Sequence, residues 1–255
     1  MLDAIETGYE TKFDFPPRQW LPAQAYLLAS VPRTGSTYLS HLLWRSGCLG
    51  APLEYLNFEP AGPYGHADGS PTAQAELWGR ALARRTSPNG VFGLKAFPIQ
   101  LQVLQAGNPD LLTEVMRTTL PGQGRSRIVQ LRRRDRTAHA ISYARASLSG
   151  IWRSEQEGDE RDEPEYSERS MQEASRILDQ AEAAWESMYR DLDLKPLVLW
   201  YEDVRDDPGA AVTAVAAHLG VTLDEAAKID VPEIKRQAQA GSQAWLAQHS
   251  GRQPG

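Results

Sequence analysis

Gln24-Ala-Tyr-Leu-Leu-Ala-Ser-Val-Pro-Arg-Thr-Gly-Ser-Thr-Tyr-Leu-Ser-His-Leu-Leu-Trp-Arg-Ser46 is the stretch on which the fold turns. Its first eight residues are nearly all apolar, the pattern of a strand buried on both faces. Pro32-Arg33-Thr34-Gly35 reads as a tight turn. From Ser36 to Ser46 the spacing of Leu39, Leu42 and Leu43 predicts a helix, stopped by Gly47. The order is strand, short loop, helix.

The alternation continues outward. Ser70-Pro71 opens a helix to about Arg85, and 91–97 reads as a strand. Pro98 and Pro109 each begin a short helix. Residues 127–132 read as a strand and 137–149 as a helix. Ser170-Met-Gln-Glu173 has the form of a capping box before a helical stripe that runs from Ala174 to Tyr189. A strand is expected at 196–201, and Asp207-Pro208 opens a last strong helix. Strands alternating with helices imply a mostly parallel central sheet flanked by helices, a three-layer α/β fold of the P-loop-like kind. With no repeat and no Gly/Ser linker, the expectation is one domain over 1–255, frayed at about 250–255. The acidic stretch 154–169 reads as a solvated loop.

Composition narrows the class. The chain has 255 residues, 41% hydrophobic and 24% charged, ordinary values for a globular protein. At that length roughly 70–75% of the unfolded surface can be buried without staples. A single cysteine, Cys48, rules out an internal disulfide. A net charge of -6 argues against broad capture of nucleic acid. The polar start MLDAIETGYETKFDF is no secretory signal, and the apolar run from Ala25 to Val31 is too short to span a bilayer. A cytoplasmic protein is the expectation.

In an open parallel sheet, ligands bind beyond the carboxyl ends of the strands. There the turn offers Arg33, the flexible backbone of Gly35, the first amides of the helix and the hydroxyls of Ser36 and Thr37. Free amides and a helix dipole at that point favour an anion. Against the nucleoside-triphosphate loop G-x-x-x-x-G-K-[ST], Ser30 replaces the first glycine and Ser36 the lysine. A magnesium-dependent ATPase or kinase is therefore the weaker alternative. A nucleotide-binding regulator without transfer chemistry is another. A second cationic segment, Arg132-Arg-Arg-Asp-Arg136, is followed by Ser142 and Arg145. Arg134 and Ser142 are eight apart, about two helical turns, so a guanidinium and a hydroxyl on one side can hold one phosphate.

Two anion sites on two strand ends resemble those of sulfotransferases that use 3′-phosphoadenosine 5′-phosphosulfate (PAPS), and the chain is most similar to the bacterial Stf0 type. Tyr26–Leu39 looks like the 5′-phosphosulfate loop of that family, although Arg-Ser-Gly-Ser-Thr there is Arg-Thr-Gly-Ser-Thr here. Pro52-Leu-Glu-Tyr-Leu-Asn57, Val91-Phe-Gly-Leu-Lys95, Trp200-Tyr-Glu-Asp-Val204, Asp207-Pro208 and Leu219-Gly220 resemble further family segments. Arg134 with Ser142 looks like the 3′-phosphate motif. The basic tail is matched only loosely, with Arg236 as a weak candidate.

The resemblance implies sulfo transfer from PAPS to a hydroxyl of a small molecule, a sugar such as trehalose or a related glycolipid, with PAP released and no metal required. It assigns Arg33, Thr34, Gly35, Ser36 and Thr37 to the donor's 5′ end and Arg134 and Ser142 to its 3′-phosphate. Glu54 is the expected base, with His66 as rival. Partial burial of the Glu54 carboxyl would raise its pKa, and the loop guanidinium would oppose that shift. Lys95, inside an apolar strand, either reaches the transferring group or pairs with a carboxylate. Tyr55, Phe58, Tyr64 and Trp152 could stack on a sugar face, with core packing as the default for each. The family's dimeric habit implies a homodimer.

Overall fold

The structure is a computed structural model and describes residues 6–17, 20–58, 70–120, 127–152, 163–234 and 240–251. Four strands, β1 (Gln24–Ala29), β2 (Val91–Ala96), β3 (Ile128–Arg132) and β4 (Leu197–Trp200), form one sheet in the order β2-β1-β3-β4. Every neighbouring pair is parallel, so the carboxyl ends of all four strands lie along one edge. The helices are α1 (Ser36–Arg45), α2 (Pro71–Arg85), α3 (Pro98–Gly107), α4 (Pro109–Thr119), α5 (Arg136–Ser149), α6 (Glu168–Asp191), α7 (Tyr201–Asp206), α8 (Pro208–Leu219) and α9 (Ala240–Ser250).

The period-two alternation of β1 sorts its side chains into two cores. Ala25, Leu27 and Ala29 face Trp78 and Leu82 of α2, Leu111 and Val115 of α4, and Leu178 and Trp185 of α6. Tyr26 and Leu28 face Leu39 and Leu43 of α1 and Val215 and Leu219 of α8. The sheet is thus covered on both faces, which is why its central strands read as continuous apolar runs. A third cluster joins Ala140, Ile141 and Ala144 of α5 to Met171 and Ala174 of α6 and Trp245 of α9. No helix among the described residues is long and apolar enough to cross a membrane.

Three local expectations are corrected. The long helix α6 starts before Ser170: Ser167 caps it by accepting from Ser170 N at 3.2 Å. Glu173 cannot close a capping box because Arg176 holds its carboxylate. Tyr201 leaves the strand and begins α7. A further helix, α9, follows the one opened by Asp207-Pro208; among its described residues its one buried large side chain is Trp245, a faint stripe to read from sequence. Residues 153–162 of the acidic stretch lie outside the described residues, as do 252–255 of the tail.

Candidate active site

The sheet order changes direction at β1: β2 lies on one side and β3 on the other. That switch point is where an open α/β sheet leaves a crevice beyond its strand ends. The loop 30–35 and the start of α1 occupy it.

The loop is built to hold a shape. Trp185 Nε1 of α6 donates to Ser30 O at 2.7 Å. Thr34 is buried, donates to Val31 O at 2.8 Å and hydrogen-bonds Ser30 Oγ. Its hydroxyl is thus spent inside the loop, which leaves its backbone for contacts with a donor. Arg33 takes a left-handed φ of 68°, unusual for a residue with a Cβ. Gly35 has φ 88°, and a Cβ there would lie 2.4 Å from Tyr201 Cδ2, so both conformation and space demand glycine. Gly35 is also the N-cap of α1 and offers its first amides no side-chain acceptor. By contrast α5 and α8 are capped by Asp135 and Asp207. The start of α1 therefore has first-turn amides that no N-cap side chain fills, where its dipole is positive.

Beside this start lies a buried ion pair. Leu53 bridges to Leu94 of β2, and Lys95 N donates to Leu53 O at 3.0 Å, which sets residue 54 beside residue 95. Lys95 is 1% exposed; its Nζ pairs with Glu54 Oε1 at 2.8 Å and donates to Thr37 Oγ1 at 3.0 Å. The second carboxylate oxygen accepts from Gln100 Nε2 at 3.2 Å, and Gln100 Oε1 is anchored by Phe97 N at 2.9 Å. Glu54 N donates to Tyr9 OH at 2.9 Å. Arg85 holds the segment carrying Tyr9 through the carbonyls of Gly8, Tyr9 and Glu10. The charge facing Glu54 is therefore the ammonium of Lys95 on β2. The Lys95 ammonium and the Gln100 amide thus fix the orientation of both carboxylate oxygens, as a proton acceptor needs.

The arginine run after β3 is divided among different partners. Arg132 pairs with Glu182 and Glu186, and Arg136 with Glu182 and Asp179, all on α6. Arg134, largely exposed, makes a bidentate pair with Asp203 at 2.5 and 2.7 Å, while Glu202 accepts from its backbone N. Arg132 and Arg134 both lie over the Trp200 ring, whereas Arg133 lies over Tyr201, 5.2 Å from the ring centre. Arg133 also donates to Arg33 O at 3.3 Å. Ser142 accepts from Arg33 Nε at 3.0 Å. The two arginine sites thus meet through Arg133 and Ser142, and Arg134, expected beside Ser142, is engaged by Asp203 instead.

Of the aromatic candidates, Tyr55 is fully buried, donates to Ala51 O and stacks on Phe92; burial pushes its phenol well above the usual range. It belongs to the core, which corrects its assignment to the acceptor. Phe58 is half-buried against the same core. Trp152 packs edge-on against Tyr143, and its carbonyl accepts from Arg33 Nη1. His66, Tyr64 and Arg236 lie outside the described residues. Sequence reading missed Gln100, Tyr9, Tyr201 and the distinct placement of Arg133.

A parallel α/β sheet with an anion-receptive loop at its switch point, and a buried lysine–glutamate pair against that loop, defines the class. The chain belongs to the Stf0 sulphotransferase family, whose model matches residues 25–251. A trehalose 2-sulfotransferase of Mycobacterium tuberculosis (strain ATCC 35801 / TMC 107 / Erdman) is 25% identical over 259 residues, spanning 90% of this chain and 95% of that protein. Two solved structures are similar at lower identity. One is the sulfotransferase domain from the Synechococcus PCC 7002 olefin synthase, 14% identical, TM-score 0.46, covering 84% of this chain and 79% of that one. The other is the sulfotransferase domain from the curacin biosynthetic pathway, 15% identical, TM-score 0.45, covering 92% and 99%.

Proposed function

We propose that this chain transfers a sulfo group from PAPS to a hydroxyl of a carbohydrate, trehalose or a related sugar or glycolipid, and releases PAP. One observation carries the reading: Lys95 Nζ touches both Thr37 of the anion loop and the Glu54 carboxylate, at 3.0 and 2.8 Å. An anion seat and a fixed proton acceptor are thereby joined through one cation. The residues fit a sulfo donor: the uncapped start of α1, the backbone at Gly35 and the hydroxyls of Ser36 and Thr37 suit its 5′ end together with Arg33. Arg134 and Ser142 are assigned to the 3′-phosphate by family resemblance, and Arg134 reaches it by exchanging Asp203 for phosphate. PAPS, when bound, supplies the activated sulfo group.

The chain supplies the rest. Glu54 takes the proton of the attacking hydroxyl. Lys95 holds Glu54 and Thr37 in one frame and places positive charge where negative charge develops. Gln100 keeps the second oxygen of Glu54 in place. Phe58 and His66 are proposed on the acceptor side. The chain is proposed to act as one domain, in a cytoplasmic homodimer.

Thermal melting with PAP, with ATP–Mg²⁺ and with buffer tests the reading. PAP at 100 times its Kd adds about 2.7 kcal/mol of stability, and PAPS with a carbohydrate panel gives a sulfated product by mass spectrometry. Stabilisation by ATP–Mg²⁺ and not by PAP returns a kinase. Stabilisation by PAP with no sulfated product returns a nucleotide-binding regulator.

A further inference from the structure

Helix α5 touches the phosphate loop twice on one face. His139 and Ser142 are three residues apart and so are neighbours on the helix surface. His139 Nε2 lies 2.8 Å from Pro32 O, and Ser142 Oγ lies 3.0 Å from Arg33 Nε. Between these contacts the backbone of Arg33 takes its left-handed φ of 68°. Such a conformation persists where its surroundings over-determine it. Here they do: Arg33 O accepts from Arg133, and Arg33 Nη1 donates to Trp152 O.

The chemistry of the imidazole is decided by its partners. His139 is 0% exposed, and its Nδ1 has no hydrogen-bond partner among the described residues. Pro32 O can only accept, so the ring proton sits on Nε2 and Nδ1 carries a lone pair. A second proton would be buried without an acceptor. It would also face Arg33 of the loop, Arg133 before α5 and Arg136 on α5 itself. Burial, with those three guanidinium groups, holds the ring's pKa down to about 4, against the ring's hydrogen bond to Pro32 O, which acts in the other direction.

We propose that neutral His139 is a positioning residue, which fastens α5 to Pro32 and thereby keeps Arg33 in the left-handed geometry that sets the phosphate loop for its anionic ligand. The role in sulfo transfer rests on the PAPS reading above; the hold on the loop is a property of this chain alone.

Amide hydrogen exchange over residues 30–38 at neutral pH, without ligand, compares wild type with His139→Leu and His139→Gln. Titration with PAP follows on the same samples. Leucine removes the donor; the glutamine amide N–H still reaches a carbonyl. His139→Leu is expected to speed exchange across the loop and to weaken PAP about tenfold, while His139→Gln restores both. Wild-type exchange and wild-type PAP affinity in folded His139→Leu overturn the proposal. Faster exchange in His139→Leu with no PAP binding by wild type leaves the hold on the loop standing and removes the donor reading. If His139→Leu does not fold, imidazole nitrogen NMR of the wild type decides. A ring protonated on Nε2 and neutral down to about pH 5 supports the proposal, and an Nδ1 proton or titration near the ordinary value of about 6.5 overturns it.

Discussion

At the end of β1, Thr37 of the segment 30–37 meets one partly buried carboxylate, Glu54, through the buried Lys95. At the end of β3, arginines 132, 134 and 136 meet the carboxylates of Glu182, Glu186, Asp179 and Asp203 on the neighbouring helices. The first region has few charges, desolvated and mutually fixed; the second has many, mostly in reach of water. A charge run in sequence therefore does not say which of its cations the fold has already paired. Burial also sets the scale of any perturbation, because a surface pair is worth little and a half-broken buried pair costs much.

That contrast can be broken or sharpened in order of effect. Glu54→Gln is expected to slow transfer by about 100-fold to 10,000-fold while PAP binding stays at the wild-type level; steady-state kinetics beside calorimetry reads both. An unchanged rate moves the base to His66 or elsewhere. Arg33→Ala is expected to lower turnover by about 100-fold to 1,000-fold, and wild-type turnover would remove it from the donor site. Lys95→Met takes the neutralising cation from the partly buried Glu54 carboxylate and is expected to cost about 3–5 kcal/mol in denaturant melts. The double variant with Glu54→Gln recovers part of that loss, and strict additivity would show that the two groups are not coupled.

Acid titration probes the contact between the two regions. His139 titrates at about 4 in the fold, below the ordinary 6.5, so the folded state binds fewer protons in that window. Its contribution is full above about pH 6.5 and is lost as pH falls through about 4, amounting to roughly 3 kcal/mol. His139→Gln lacks this component, so wild type must lose stability relative to the variant on acidification. Parallel curves would mean that the ring is not buried neutral. Smallest of all, Arg134→Ala is expected to leave the melting temperature unmoved, since both it and Asp203 are exposed. It should weaken PAP about tenfold and spare adenosine 5′-phosphosulfate. Equal losses for both nucleotides would show that it does not read the 3′-phosphate.

Much of this was legible in the residues because the signals were local. Apolar runs bounded by Pro and Gly marked β1, β2 and β3, and Pro71, Pro98, Pro109 and Pro208 marked the starts of four helices that the structure shows. Arg33, Ser36 and Thr37 are singled out by their place just after a strand, Lys95 by its place inside an apolar strand, and Glu54 by family resemblance. What stayed hidden depends on contacts across long separations. Ser142 meets Arg33 from 109 residues away, and Gln100 meets Glu54 from 46. Tyr55 reads as core by default with a sugar platform as the alternative, and only its contacts with Phe92 and Ala51 decide for the core. Arg134 reads as a phosphate reader by spacing, and Asp203, on a helix 69 residues later, takes its guanidinium. Periodicity fixes which face a side chain takes, while partners are set by tertiary packing.

The most direct measurement is a single turnover: protein loaded with PAPS is mixed with trehalose and related sugars, quenched, and read by mass spectrometry. One sulfo group on a carbohydrate hydroxyl for each PAP released is the expected result. A donor that binds and is never passed to any hydroxyl, or that does not bind at all, contradicts it.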